Sequence, residues 1–279
     1  MLEKGNELLK SFAEKIINPN EDVGGKKLYT GVDLGTAYIV LAVVDEDGIP
    51  VAGAMQFAQV VKDGLVVDYT GAVRIVKKLK SELEDKLDAE LWEAAVAYPP
   101  GTGPSDSKAI KYVAEAAGFN VIGAIDEPTA ANAVLGIQDG AVVDIGGGTT
   151  GTAIFENGEV VYVADDATGG TQFTLVVAGG MHIPFEEAEE LKKDPAKEDD
   201  IQPMIKPVMQ KVASIIDKHI AGRTVDTVYL VGGTSCNKYI AGIVEEWLEK
   251  PVQRPDNPFL VTPLGIALFA RQFAMTNEY

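Results

Sequence analysis

The fold of this chain is decided by the stretch Val142-Val143-Asp144-Ile145-Gly146-Gly147-Gly148-Thr149-Thr150. An apolar run that stops at glycines predicts a buried β-strand leading into a tight turn. Because three glycines remove every Cβ from the turn, its backbone N–H groups can approach and hydrogen-bond a phosphate. The Asp144 carboxylate would repel that phosphate unless a divalent cation lay between them, so we expect Asp144 to hold Mg²⁺ directly or through water. A plain hairpin turn is the alternative, since short glycine-rich matches are common.

The same design occurs earlier in the chain, in the stretch Gly31-Val32-Asp33-Leu34-Gly35-Thr36. Each of the two stretches is followed by a β-rich segment with a polar turn, at residues 45–48 after the first and 156–158 after the second. The recurrence predicts two similar halves, each of which presents a phosphate-binding loop to one shared cleft.

Composition and charge limit the classes of function. The chain has 279 residues, of which 46% are hydrophobic, enough for two lobes of ordinary size, and its alternating helical and strand patterns favour an α/β fold. A net charge of −18 argues against binding to nucleic acid or to anionic membranes. The single cysteine, Cys236, excludes an intramolecular disulfide and a cysteine-based zinc site. Since we find no secretory signal and no apolar run of membrane-spanning length, we expect a cytoplasmic protein.

The N-terminal segment reads as an amphipathic helix over residues 1–17, a stop at Asn18-Pro19-Asn20, and a polar linker over residues 21–27. An amphipathic helix on a tether is able to dock on another protein. Packing on its own lobe is the alternative, because terminal helices commonly do so.

Three later segments are also candidates for the site. Glu127 follows a predicted strand and precedes a helix that starts with Pro128, so its carboxylate either caps that helix or orients a water for attack on a phosphoryl group. Backbone can also approach a ligand closely at Gly169 and Gly170, and at the strand-to-helix turn formed by Gly232, Gly233 and Thr234.

Taken together, four motifs resemble the nucleotide-binding signatures of the superfamily of actin, DnaK-type heat-shock chaperones and sugar kinases: Asp33-Leu34-Gly35-Thr36, Glu127-Pro128-Thr129-Ala130-Ala131, Asp144-Ile145-Gly146-Gly147-Gly148-Thr149 and Val231-Gly232-Gly233-Thr234. The resemblance implies an α/β, two-lobed actin-like ATPase fold, in which each lobe is a mixed β-sheet flanked by helices and a nucleotide cleft lies between the lobes. It implies lobe I at residues 28–137, completed by a C-terminal helix at 260–279, and lobe II at 138–259, after an N-terminal helix and linker at 1–27.

The same resemblance implies ATP or ADP and Mg²⁺ as cofactors, and it assigns roles to residues. Asp33, Glu127 and Asp144 form the implied catalytic set, in which Asp33 and Asp144 hold Mg²⁺ through water and Glu127 positions the attacking water. The helix over residues 186–193 is expected to flank the adenine, and the turn at Gly232 to border the adenosine. The whole implied cofactor-binding set is Gly35, Thr36, Gly146, Gly147, Gly148, Thr149, Thr150, Gly169, Gly170, Gly232, Gly233 and Thr234.

Further segments narrow the resemblance to the EutJ family of ethanolamine utilisation proteins; they lie at residues 61–69, 98–102, 164–170 and 260–264. This resemblance implies a chaperone-like, ATP-binding accessory protein that assists assembly of the bacterial microcompartment, or that protects or refolds ethanolamine ammonia-lyase. The implied partners are ethanolamine ammonia-lyase and microcompartment shell proteins. The implied location is the cytoplasm, with or without attachment to the microcompartment.

Departures from the chaperone pattern leave the use of ATP open. Ala37 stands where DnaK-type chaperones have a second threonine, Cys236 stands where their adenine-packing arginine falls, and only Lys62 is a candidate for their catalytic lysine. A weak Mg²⁺-dependent ATPase and a nucleotide-gated scaffold without turnover both fit this pattern. The remaining alternatives are a self-associating, filament-forming actin-like ATPase and, ranked last, a small-molecule kinase.

Overall fold

The structure is a computed structural model and describes residues 2–20, 23–62 and 64–277. Parts of three predicted segments lie outside these ranges, namely Met1, Glu21 and Asp22 of the N-terminal segment, Asp63 of the segment at 61–69, and Glu278 and Tyr279 of the C-terminal helix. The helices and strands in chain order are α1 (Glu3–Ile17), β1 (Leu28–Leu34), β2 (Tyr38–Asp45), β3 (Pro50–Phe57), β4 (Val61–Lys62), β5 (Leu65–Val66), α2 (Tyr69–Leu87), β6 (Glu93–Tyr98), α3 (Pro104–Ala116), β7 (Asn120–Asp126), α4 (Glu127–Leu135), β8 (Gly140–Ile145), β9 (Thr150–Glu156), β10 (Glu159–Asp166), α5 (Gly170–Met181), α6 (Phe185–Lys193), α7 (Glu198–Ile220), β11 (Val228–Val231), α8 (Ile240–Leu248), β12 (Val252–Gln253) and α9 (Val261–Asn277).

Two sheets of the same design form the framework of the described chain. The first has five strands in the order β3-β2-β1-β6-β7, and the second has five in the order β10-β9-β8-β11-β12. In each sheet the central strand is antiparallel to the next strand in sequence and parallel to its other neighbour, β6 for β1 and β11 for β8. The predicted repeat is therefore confirmed. Asp33 and Asp144 occupy equivalent places, near the carboxyl ends of the two central strands.

Helices α4 and α9 join the two sheets through a shared core. Buried side chains from both sheets and from these helices form one cluster, which includes Ala95, Ala130, Val142 and Ala267. Since the first sheet spans residues 28–126 and the second 140–253, and since α9 packs against β1, β2, β6 and β7, we propose the lobe boundaries 28–137 with 260–279, and 138–259.

The packing of α9 depends on glycine at two crossings. A Cβ on Gly265 would lie 2.0 Å from the carbonyl oxygen of Ala130 in α4. A Cβ on Gly31 of β1 would lie 2.5 Å from the backbone nitrogen of Ala267. Backbone meets backbone at both places, so a side chain could enter only if an element moved.

The prediction that no apolar run is long enough to span a membrane is wrong. Among the described residues, the helical stretch Pro258–Thr276, which is the short turn before α9 together with most of α9, is long enough and has a mean hydropathy of 1.4. Its apolar character has a simpler explanation, because the helix crosses between the two sheets and buries its sides against β1 and α4. A helix in such a place is expected to be apolar nearly all round.

Helix α1 packs on its own lobe, which confirms the alternative that the sequence left open. Leu9 and Phe12 are buried, and the helix lies on β3, where a Cβ on Gly53 would come within 2.6 Å of the Phe12 ring. The tether is also anchored, since the Lys26 ammonium lies 2.7 Å from Asp45 and 2.8 Å from Asp47. The apolar face of α1 is thus used inside the molecule and is not free to dock on a partner.

The charged stretch at residues 192–200 contains the end of α6 and the start of α7. Lys192 and Lys193 end α6, and α7 begins at Glu198. Two prolines, Pro203 and Pro207, lie inside α7, where a missing backbone N–H disfavours a helix. Buried isoleucines on the same turns of α7 pack into the core of the second lobe, and this tertiary packing outweighs the local cost.

Candidate functional site

A cleft of about 500 Å³ opens between the lobes, at the ends of the two central strands. Its volume is in the range of a small-molecule or cofactor site. Most of the predicted site residues line it: Asp33, Gly35, Thr36, Glu127, Asp144, Gly146, Gly147, Gly148, Thr149, Gly232, Gly233 and Thr234. The fold therefore brings four separate sequence motifs to one place.

The two glycine loops meet across the floor of the cleft. A Cβ on Gly147, in the loop after β8, would lie 3.1 Å from the Cβ of Thr36, in the loop after β1. A Cβ on Gly35 would lie 2.8 Å from the carbonyl oxygen of Tyr38. A side chain at Gly35 would therefore force backbone to move, whereas one at Gly147 would need Thr36 to give way by a few tenths of an ångström.

Thr150, Gly169 and Gly170 do not line the cleft, although the sequence predicted that they would. The Gly170 N–H donates to the carbonyl oxygen of Gly146 at 3.0 Å, and the Thr150 hydroxyl donates to the carbonyl oxygen of Thr168 at 2.6 Å. A Cβ on Gly169 would lie 2.7 Å from the same Gly146 oxygen. The Gly170 N–H and the Thr150 hydroxyl already bond to protein, so these residues support the glycine loop and do not contact a ligand in the cleft.

Three carboxyl groups face one another around the cleft, and burial disfavours their charged forms. Burial, aided by the charge of Asp144, raises the pKa of Asp33 to about 7. Burial raises the pKa of Asp144 to about 6, against the opposing effect of a hydrogen bond from Thr262. Burial and then the charges of Asp144 and Asp33 raise the pKa of Glu127 well above its usual range. Among the described residues, no ion pair includes any of the three.

The two roles that the sequence left open for this acidic turn belong to different residues. Asp126 is the N-cap of α4, and its side chain accepts from the backbone N–H of Thr129 at 3.0 Å. Glu127 is the first residue of the helix and its side chain lines the cleft. The capping role is therefore filled by its neighbour, and the Glu127 carboxyl is placed where it can meet a ligand.

The donor set fits a hydrated cation better than a directly bound one. The described residues contain no group of three metal-ligating side chains close enough to hold an ion. Mg²⁺ usually keeps several waters and takes one or two carboxylates together with phosphate oxygens. Asp33 and Asp144 provide two such carboxylates without a cationic side chain beside them, so the residues fit Mg²⁺ bound through water.

Two polar residues near these carboxyls were not found from the sequence. Thr262, at the start of α9, lines the cleft, and its hydroxyl donates to Asp144 Oδ2. Asp165 lies opposite Gly151 in the β9–β10 pairing, and its Oδ1 is buried without a hydrogen-bond partner among the described residues. Burial raises the pKa of Asp165 to about 7. Both lie in segments that carry the family resemblance, which was the only available signal.

Two cationic side chains line the wall of the cleft that α6 forms. Lys192 and Lys193 on α6 are the cationic residues among the described lining residues, whereas Lys62, the candidate for a catalytic lysine, is exposed and does not line the cleft. The Lys192 ammonium donates to Glu189 at 2.6 Å and to the Thr174 hydroxyl at 2.8 Å, and burial lowers its pKa. Ala37 and Cys236, the two departures from the chaperone pattern, also line the cleft.

Lys193 bridges the two lobes at this wall. Its ammonium lies 4.6 Å from the centroid of the Phe57 ring and 5.3 Å from that of Tyr38. Tyr38 packs edge-on against Phe57, with ring centroids 5.6 Å apart, and against Phe259, at 5.5 Å. A cation from the second lobe thus rests on aromatic rings of the first, which favours a closed cleft.

Comparison with known proteins finds relatives that match more than nine-tenths of this chain. The ethanolamine utilization protein EutJ of Salmonella typhimurium is 41% identical over 256 residues, which cover 91% of this chain and 90% of that protein. The crystal structure of EutJ from Carboxydothermus hydrogenoformans is 46% identical with a TM-score of 0.90, and the match covers 96% of this chain and all of that one.

More distant matches agree on the architecture. The family models "Cell division protein FtsA" and "MreB/Mbl protein" match residues 141–265 and 51–183. The structure of MreB 5 of Spiroplasma citri bound to AMPPNP, 16% identical, superposes with a TM-score of 0.74 over 90% of this chain. A chaperone protein HscA homolog of Methylibium petroleiphilum is 25% identical over 76% of this chain and 42% of its own length. The fold is that of the actin-like ATPases, as the motifs predicted.

Proposed function

The chain belongs to the EutJ family of ethanolamine utilisation proteins, and from that premise we propose that it is a chaperone-like accessory protein that binds ATP or ADP in its cleft. One observation carries the proposal. Two glycine loops, each following an aspartate at the end of a central strand, face each other across a single cleft of about 500 Å³. Such loops allow backbone to approach phosphate without a side chain in between.

The roles of the residues follow from their places in the cleft. The loops at Gly35 and at residues 146–149 would receive the phosphates, one from each lobe. Asp33 and Asp144 would hold Mg²⁺ through water, and the ion would neutralise charge between phosphate and carboxylate. Glu127, where it is ionised, would accept a hydrogen bond from a water and orient it, which is the main task of a side chain in phosphoryl transfer.

Binding of nucleotide would act on partners through the arrangement of the lobes. A ligand shifts a conformational equilibrium only by its difference in affinity between the states. A γ-phosphate in contact with both loops has such a difference, since it reaches both lobes only when the cleft is closed. The partners proposed on the family premise are ethanolamine ammonia-lyase, which would be protected or refolded, and shell proteins of the microcompartment, whose assembly would be assisted, in the cytoplasm.

A nucleotide-gated scaffold without turnover is the second candidate, and one observation favours it. The described cations that line the cleft both lie on α6, and neither Lys62 nor an arginine lines the wall that holds Asp33 and Glu127. Phosphoryl transfer relies on neutralising charge at the transferred group. A cleft with only Mg²⁺ for this task would hydrolyse ATP slowly or not at all.

Binding and turnover measured on the same samples separate the candidates. We would compare the parent protein with Asp144→Ala and Glu127→Gln, in ATP with Mg²⁺, and with Glu246→Gln as a control on the exposed side of α8. Turnover that is lost in Glu127→Gln while binding is kept supports an ATP-driven cycle. Binding without turnover in the parent supports the scaffold. If the parent binds no nucleotide, both candidates are wrong.

A further inference from the structure

The carboxylate of Asp144 is fixed by contacts on both of its oxygens. Its Oδ2 accepts a hydrogen bond from the hydroxyl of Thr262. Its Oδ1 lies so close to Gly232 that a Cβ there would be 2.2 Å away. Both Asp144 and Thr262 are buried, with 5% and 4% of their surface exposed. A side chain held on both sides has one orientation, which is what a precise ligand site needs.

The hydrogen bond also joins the two lobes. Asp144 is the next-to-last residue of β8, the central strand of the second sheet, whereas Thr262 stands in the first turn of α9, which packs on the first sheet. Helix α9 cannot shift easily, because Gly265 and Gly31 bring its backbone against that of α4 and β1. The Asp144 carboxylate is therefore held from both lobes, by Gly232 of the second and Thr262 of the first.

A hydroxyl suits this place for a chemical reason. A lysine or arginine would neutralise Asp144 and compete with a cation for it. A threonine hydroxyl donates one hydrogen bond and carries no charge, so it orients the carboxylate and leaves its charge available. Groups that hold a metal ligand in this way are known to contribute strongly to metal affinity.

We propose that Thr262 is a positioning residue, which orients Asp144 toward a hydrated Mg²⁺ and ties that orientation to the first lobe. The inference rests on the proposed binding of nucleotide in the cleft. Its consequence is specific: Thr262 contributes to the affinity for nucleotide with Mg²⁺, but not to the affinity for nucleotide alone.

The test measures the affinity for ADP by calorimetry, once with Mg²⁺ and once with EDTA. Thr262→Val removes the hydroxyl and keeps the shape, and we expect a dissociation constant about 10- to 100-fold higher with Mg²⁺ and nearly unchanged in EDTA. Thr262→Ser restores the donor and should restore the affinity. Thr276→Val is the matched control, because Thr276 is exposed on the same helix and its hydroxyl donates to the backbone oxygen of Gln272, far from the cleft residues.

The outcomes are distinct. If Thr262→Val binds ADP with Mg²⁺ as the parent does, the inference is overturned and the proposed function stands. The same holds if Thr262→Val weakens binding equally with Mg²⁺ and with EDTA, since that is the result of a structural role alone. If the parent itself binds no ADP, the proposed function fails, and the inference with it. Thr262→Ala serves as a second variant, because it removes the hydroxyl without placing a methyl group against Asp144.

Discussion

Replacing Asp33 with asparagine should stabilise the protein in the absence of nucleotide and Mg²⁺, although Asp33 belongs to the candidate site. In the folded chain its pKa is raised from 3.8 to about 7, by burial and by the charge of Asp144. Each pKa unit corresponds to about 1.36 kcal/mol, so the folded state disfavours the ionised form by about 4 kcal/mol. Asparagine has nearly the same shape and carries no charge to bury.

The pH dependence gives the sign of this effect. A carboxyl whose pKa is higher in the folded than in the unfolded state contributes stability that is fully present below the unfolded pKa and is lost as the pH rises through the folded pKa. We therefore expect ionisation of Asp33 to lower the parent's free energy of unfolding between about pH 4 and pH 7, with little further effect above pH 7. The gain in Asp33→Asn should approach about 4 kcal/mol at pH 8 and fall below about 1 kcal/mol at pH 4.

Urea unfolding at pH 4 and pH 8, in EDTA, measures this difference. Urea is preferred to guanidinium chloride because it is uncharged and does not screen the carboxyl groups. Glu246→Gln, on the exposed side of α8, is the control and should change stability by less than about 0.5 kcal/mol at either pH. The reasoning is refuted if Asp33→Asn is less stable than the parent at pH 8, or if its gain is the same at both values.

Two further predictions concern the joint between the lobes and its closure. In a thermal unfolding assay, Gly265→Ala should destabilise the protein by about 3 kcal/mol, because the new Cβ would lie 2.0 Å from the Ala130 carbonyl oxygen. Gly179→Ala is the control: with nothing within 4 Å of its new Cβ, it should be neutral or stabilise the protein by about 0.5 kcal/mol. Lys193→Ala removes the cation that rests 4.6 Å from the Phe57 ring. Losing about 1 kcal/mol of this contact should speed the release of a fluorescent ADP analogue roughly fivefold in a stopped-flow chase, and an unchanged rate would show that this contact does not hold the cleft closed.

The parts of the site that the sequence predicted are those encoded by neighbouring residues. A strand, an aspartate and a glycine turn lie within nine residues at Asp144, and the same order at Asp33 revealed the repeat. Because the two motifs end equivalent central strands, their convergence on one cleft followed from the repeat alone.

The parts that were missed depend on packing between distant segments. Thr262 reaches Asp144 only because α9 returns to the first sheet, and Asp165 approaches through the edge of the second sheet. Gly169 and Gly170 looked like a further ligand-binding turn, yet the Gly170 N–H bonds to the carbonyl oxygen of Gly146. A glycine pattern shows that backbone comes close to something, and it does not show whether the neighbour is a ligand or protein.

The choice between alternatives at α1 and α4 was likewise decided by tertiary contacts. The amphipathic pattern of α1 is the same whether its apolar face meets a partner or its own lobe, and the contact of Phe12 with β3 decides for the lobe. Two adjacent acidic residues stand where β7 meets α4: the Asp126 side chain caps the helix, and Glu127, its first residue, lines the cleft.

A crystal structure of the protein grown with ADP and Mg²⁺ tests the central claim most directly. The account predicts the phosphates between the loop at Gly35 and the loop at residues 146–149, and a hydrated Mg²⁺ within water-mediated reach of Asp33 and Asp144. Nucleotide bound at another place, or a cleft that stays empty at millimolar ADP, would contradict it.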